Sequence, residues 1–198
     1  MQIQSVTNLN IHLPPDFSPD AMAALEKRMG TLGRTSSLET AVLPATDRPA
    51  IGDYWPAQGG FYAGDMRGDD GTVYGLIVAD CGTAQDVGRA KWGPEGVDSL
   101  SQWDGLANTK ALGDKHPAAK LAAGHADDEH QDFYLPARRE LQLAAANVPH
   151  LFGTDGWYWS STPRTESWTW AVDFENGLTY GVSRHGEFRV RPVRRFIY

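Results

Sequence analysis

The sequence predicts one α+β domain with a short N-terminal segment attached, and three observations carry that expectation. The chain has 198 residues, of which 41% are hydrophobic and 22% charged, enough for one core of ordinary size plus an appendage. Glycine-punctuated apolar runs of strand length fill residues 51–82 and 156–198. Between them lie Ala- and Leu-rich stretches with helical character.

Taken in order, residues 2–13 (QIQSVTNLNIHL) place Ile3, Val6, Leu9, Ile11 and Leu13 in a strand-like stretch that Pro14 and Pro15 stop. Ser18 is a fitting N-cap, with Pro19 at the first helical position and good helix formers from Ala21 to Met29. Residues 31–50 read as a linker. About 45 residues are too few to bury these apolar side chains in a core of their own, so residues 1–45 are expected to attach the chain to a partner or to further copies of itself. From Ile51, QGGFYAG, TVYG and LIVAD read as short strands around a GDDG turn. Residues 102–124 read as helix divided by Gly113 and Pro117.

Phe133, Tyr134 and Leu135 predict a short buried strand, after which Pro136 starts a helix whose apolar stripe is Leu141, Ala144, Ala145 and Val148. Glu140 falls in the first turns of that helix, where a pairing with a C-terminal arginine would fix it against a sheet. In the final stretch, WTWAVDF alternates, Asn176-Gly177 fits a type I′ turn, LTYGV returns, and RHG turns into EFRVRPV. The expectation is a three-stranded antiparallel meander. Its core face would take Trp168, Trp170 and Phe174, with Trp159 and Leu141 also buried.

Residues 156–198 hold four of the seven tryptophans and six of the eighteen Lys and Arg, which poses a choice between a sheet core with a charged outer face and a binding surface. A net charge of -7 and a pI near 5.3 disfavour nucleic acid, because counterion release needs clustered outward cations. The lone Cys81 excludes an intramolecular disulfide and a cysteine-built zinc or redox centre. With neither an export signal nor a run of ~18 apolar residues, the expectation is a chain made in a cytoplasm and not inserted in a membrane.

Candidate chemistry is sparse. GHADDEHQD (124–132) gathers His125, Asp127, Asp128, Glu129, His130 and Asp132. Histidines five apart lie on different faces of a helix, and the acids lack the spacing of a calcium loop. It reads as a solvated acidic loop, with a metal site on His125, Asp128 and His130 as the alternative. GDMRGDDG (64–71) lacks the Lys-Ser/Thr ending of a phosphate loop. Ser160 and Ser161 are not in a nucleophile elbow. No catalytic residue, metal ligand or cofactor is therefore assigned.

Gly75-Leu76-Ile77, FYLPARREL (133–141), WYWSST (157–162), WAVDFENG (170–177) and RVRPVRR (189–195), in that order, resemble the domain at the C-terminus of Lcl-type collagen-like adhesins and in many bacteriophage tail-region proteins, a relative of the C-type lectin fold. The resemblance covers residues 52–198. It implies a C-type-lectin-like module of two helices, a small twisted antiparallel sheet and long loops, used for display and adhesion. The similar formylglycine-generating enzymes depend on active-site cysteines, so their chemistry does not carry over to a chain with one. Calcium-dependent sugar binding needs Glu-Pro-Asn or Gln-Pro-Asp, which this sequence lacks.

The resemblance further implies one exposed face formed by the loop after the WYWSST strand and those between the last strands. Arg164, Glu166, Tyr180, Arg184 and His185 become receptor-binding candidates there. The function implied is that of a non-enzymatic tail-region or tail-tip protein in a phage virion. It would recognise a host-surface sugar or protein, contact other tail proteins and form a homo-oligomer, a trimer by analogy. The alternatives are a bacterial adhesin-like binding module and a metal-dependent enzyme using the His125–His130 cluster.

Overall fold

Nine strands and three helices are formed among residues 48–127 and 129–198, the residues described by a computed structural model. The expected strand and helix of residues 2–29 lie outside them, as do Asp128 and all of the linker up to residue 47. β1 (Tyr54–Trp55), β2 (Gly60–Arg67), β3 (Val73–Ala79) and β9 (Val193–Ile197) make a sheet in the order β1-β2-β3-β9. β4 (Arg89–Lys91), β5 (Trp157–Pro163), β6 (Trp168–Asp173), β7 (Thr179–Ser183) and β8 (Glu187–Arg189) make the second, in the order β4-β8-β5-β6-β7. All pairings are antiparallel except the contact of β5 with β8.

Local chemistry accounts for the turns and helix ends. Asp70 turns β2 into β3 by accepting from the Thr72 N–H at 2.9 Å, an Asx arrangement. α1 (Gly105–Leu112) begins where the Asp104 carboxylate accepts from the Ala107 N–H at 2.8 Å. α2 (Pro117–Ala123) begins on a proline, and α3 (Arg138–Asn147) follows Pro136. The division at Gly113 and Pro117 thus holds. It gives three helices among the described residues, against the two implied by the resemblance, and two sheets in place of one.

The second sheet carries a core cluster on each face. Tyr158, Val172 and Phe174 meet Leu141 and Ala144 of α3, Val148 at its C-cap, and Leu76 and Val78 of β3. On the other face Trp159, Ala171 and Val190 pack with Trp92, Leu112, Ala118 and Ala122. The indole N–H of Trp159 donates to the Ala90 carbonyl at 2.7 Å, and that of Trp92 to the Ser160 carbonyl at 2.8 Å. Each buried ring therefore keeps its polar atom satisfied.

Three expectations for the C-terminal stretch are corrected. β8 does not continue a meander from β7; it crosses to the far side of β5 and pairs with β4. The connection from β6 to β7 is a five-residue loop, because Val172 pairs with Thr179. There the Asn176 side-chain Oδ1 accepts from the Leu178 N–H at 2.9 Å and its Nδ2 donates to the Asp173 carboxylate. Asn176 is not among the positive-φ residues, so the type I′ geometry is not formed. Trp168 is not core but 47% exposed. It shares its sheet face with Val172 by parity, yet α3 reaches along that face only as far as Trp170, over which its Arg138 lies. Leu141, Trp159 and Phe174 are buried as expected, and Trp170 is half-buried.

His116 supplies a pH dependence. It is buried edge-on against Trp92, its Nδ1 lies 2.8 Å from the Leu112 carbonyl, and its Nε2 has no partner among the described residues. Burial holds its imidazole below the ordinary value of 6.5. The folded state therefore keeps it neutral where the unfolded chain protonates, so stability is fully present above that value and is lost as pH falls below it. The melting temperature is expected to drop between about pH 7 and 5, less steeply in H116Q. Equal slopes in the two proteins would remove His116 from the account.

Candidate functional site

The hairpin between β5 and β6 carries the candidate site. Pro163 pairs with Thr169, leaving Arg164, Thr165, Glu166 and Ser167 as the connecting loop. The Trp168 carbonyl accepts from the N–H groups of Arg164 at 2.8 Å and Thr165 at 3.1 Å, and the Thr165 hydroxyl accepts from the Trp168 N–H at 3.2 Å. The loop is thereby closed on its own backbone. Beside it, Arg164, Thr165 and Trp168 line a hollow of about 340 Å³. Further along the same face, the half-buried Trp170 ring has the guanidinium of Arg138 at 4.7 Å and that of Arg164 at 5.0 Å from its centroid.

The five receptor-binding candidates do not all gather here. Arg164 and Glu166 are exposed in the loop, and His185 is exposed in the turn after β7, with Nε2 3.8 Å from Glu95. Tyr180 is 54% exposed but stands on the opposite face. It is level with Ala171 and meets Trp157 edge-on at 5.6 Å, whereas Arg164 lies over Trp170 and Gly181. Arg184 is fully buried and cannot meet a receptor directly. Its guanidinium donates to the carbonyls of Pro94 at 3.0 Å, Val97 and Thr165, and stacks 4.3 Å from the centroid of Trp92. Arg184 thus ties the hairpin loop to the segment after β4 from beneath.

The other C-terminal arginines are also turned to internal work. Arg189 pairs with Asp86 and Asp155, and Arg191 donates to the Leu151 carbonyl at 2.6 Å and the Ala79 carbonyl at 2.7 Å. Arg194 grips Asp132 at 2.8 Å and Gln58, and Arg195 pairs with Asp104 at 2.6 Å. Most of this cationic stretch is therefore neither a charged outer face nor a binding surface.

The acidic and histidine stretch separates into parts. His125 meets Phe133 edge-on at 4.7 Å, and burial depresses its pKa. It lines a cleft of about 620 Å³ between β4 and α2 with Arg89, Lys120 and Leu121. His130 lines a different hollow with Tyr54, Pro56 and Gly59, its Nδ1 3.1 Å from Asp127. The N–H groups of Glu129 and His130 donate to Asp127 and, with His130, hold its carboxyl below the usual range. Among the described residues, no three His, Cys, Asp or Glu side chains are grouped to hold a metal ion.

Sequence reasoning missed Trp168 as a surface residue, and Trp170 and Arg138 as its surroundings. The available signal was the length of α3, whose ten residues span ~15 Å, against a sheet whose aromatic face runs on past that helix. No family model matches this chain, and no curated protein matches it.

Proposed function

We propose that the chain is a non-enzymatic recognition protein of a bacteriophage tail region or tail tip, which binds a host-surface structure through the β5–β6 hairpin of a C-type-lectin-like domain. The observation that carries this reading is Trp168, a large indole left 47% exposed at the start of β6, where the loop closes on its backbone, with a hollow beside it. Exposed aromatic side chains on rigid supports are the residue type enriched at binding sites. The lectin-like assignment draws on the motif pieces. They fall on β3, on the entry to α3, on β5, on β6, and on the run from β8 to β9, which are framework elements of an α+β domain. Its partners are then other tail proteins and further copies of the chain, as a trimer, with residues 1–45 as the attachment segment. The mature location is then the virion.

The test is adsorption of purified protein to host cells. W168A is expected to reduce adsorption at least about tenfold, the effect of losing an anchor, while changing stability by less than ~1 kcal/mol, as exposed substitutions do. W168A adsorbing like the wild type at an unchanged melting temperature would overturn the reading.

A further inference from the structure

The hairpin also holds a cation that the fold does not use. Of the six arginines in residues 156–198, five have hydrogen-bonded partners inside the protein. Arg164 is the exception: among the described residues it has no hydrogen-bond acceptor and no carboxylate at ion-pair distance, and it is exposed. Yet its position is built. Its stem crosses Gly181 of β7 so closely that a Cβ there would lie 2.4 Å from both Cδ and Nη1 of Arg164. Glycine within a strand weakens it, so this seat is kept against a local cost. The guanidinium rests 5.0 Å from the Trp170 centroid, and a stacked guanidinium keeps its in-plane N–H fork available.

The hollow of about 340 Å³ bounded by Arg164, Thr165 and Trp168 therefore offers an apolar aromatic surface and a set of donors. The fork of Arg164 is one. The Thr165 hydroxyl is the other, because its oxygen accepts from the Trp168 N–H and its own hydrogen remains to donate. Glu166, the one carboxylate of the loop, is exposed and does not line the hollow. Donors without acceptors select an acceptor-rich, anionic ligand. The indole selects one with an apolar C–H face that can lie on a ring. A cation left unpaired on a chain of net charge -7 is a local feature, not part of a basic surface.

We infer that this hollow binds an acidic saccharide, with a sugar ring on the Trp168 indole and its carboxylate or phosphate on the Arg164 fork. The inference rests on the recognition reading above and narrows it to a ligand class. Carboxylate and phosphate share the required chemistry, and the probes separate them.

The experiment measures direct binding of the full chain to immobilised oligosaccharides bearing uronate, sialate or phosphate, each beside its neutral counterpart made by carboxyl reduction or dephosphorylation. Wild type is expected to bind at least one acidic member and to lose about tenfold or more on its neutral counterpart, the scale of a charge-assisted bond. R164Q should show the same loss on the acidic member and none on the neutral one, R164K should recover part of it, and raised salt should weaken wild-type binding. All three proteins should share one melting temperature. Binding that ignores both the acidic group and R164Q would overturn the inference and leave the recognition reading intact. Absence of binding to every saccharide, with W168-dependent adsorption to cells retained, would also overturn it and point to an acidic polypeptide. Absence of both would sink the two readings together.

Discussion

Replacement of Glu140 by alanine is expected to lower the unfolding free energy by about 3–5 kcal/mol, the cost of breaking a buried charged network by removing one member. The side chain is fully buried, and its two oxygens accept four hydrogen bonds and face one guanidinium at ion-pair distance. The Tyr74 and Tyr134 hydroxyls donate to Oε1 at 2.6 and 2.8 Å, with Arg195 at 3.6 Å. The backbone N–H groups of Ala137 and Gly105 donate to Oε2 at 2.7 and 3.1 Å. Gly105 is obligatory at that contact, since a Cβ would come 2.4 Å from Oε2. One carboxylate thus joins the starts of α1 and α3 to β3 and β9. Burial raises its pKa above the ordinary value, against the lowering pull of the donors and of the Arg195 charge. E140Q is expected to lose nearly as much, because its amide nitrogen would point a donor at donors, and each buried group left unpaired costs about 1–3 kcal/mol. Denaturant titration reads both. Losses under ~1 kcal/mol in the two variants would show that the network is replaceable by water.

Part of that role was legible in the sequence: an acid in the first turns of an apolar helix fits a C-terminal arginine as partner, and Arg195 is one, whereas Tyr74, Tyr134 and the Gly105 N–H carried no such signal. The helix division at Gly113 and Pro117, the Pro136 start and the Asp70-Gly71 turn were legible, since each rests on residues a few positions apart. What failed was non-local. Period-2 alternation put Trp168, Trp170 and Val172 on one face correctly, but parity does not say how far a covering helix reaches. The neighbour of β8 could not be read from a turn, because the RHG turn closes on Ser183 and the chain then leaves for the far side of the sheet. The arginines were misjudged most. Arg184 and Arg191 are held by backbone carbonyls, at Pro94, Val97, Leu151 and Ala79, and a carbonyl carries no sequence signal, while Arg189, Arg194 and Arg195 find carboxylates far away in the sequence.

Arg184 makes that error testable, because a residue read as a tolerant surface contact is expected to be among the least tolerant in the domain. R184A should cost about 3 kcal/mol or more, combining stranded carbonyls with a cavity against Trp92. Three carbonyls lose their donor, and the one on Thr165 belongs to the proposed recognition loop. Loss of stability and loss of adsorption should therefore occur together in R184A. In R164Q, binding alone should fall. R184K should land between wild type and alanine, since an ammonium keeps the charge but cannot reproduce the planar fork that spans separate acceptors. Burial already pulls the Arg184 guanidinium below its ordinary value, so the carbonyls and the Trp92 face are what hold a charge there. If R184A unfolds within ~1 kcal/mol of the wild type and still adsorbs to cells, the brace is dispensable and the hairpin is held by its own backbone bonds to Trp168. If R184A is stable but does not adsorb, Arg184 reaches the ligand after all, through a rearrangement that frees it from Trp92.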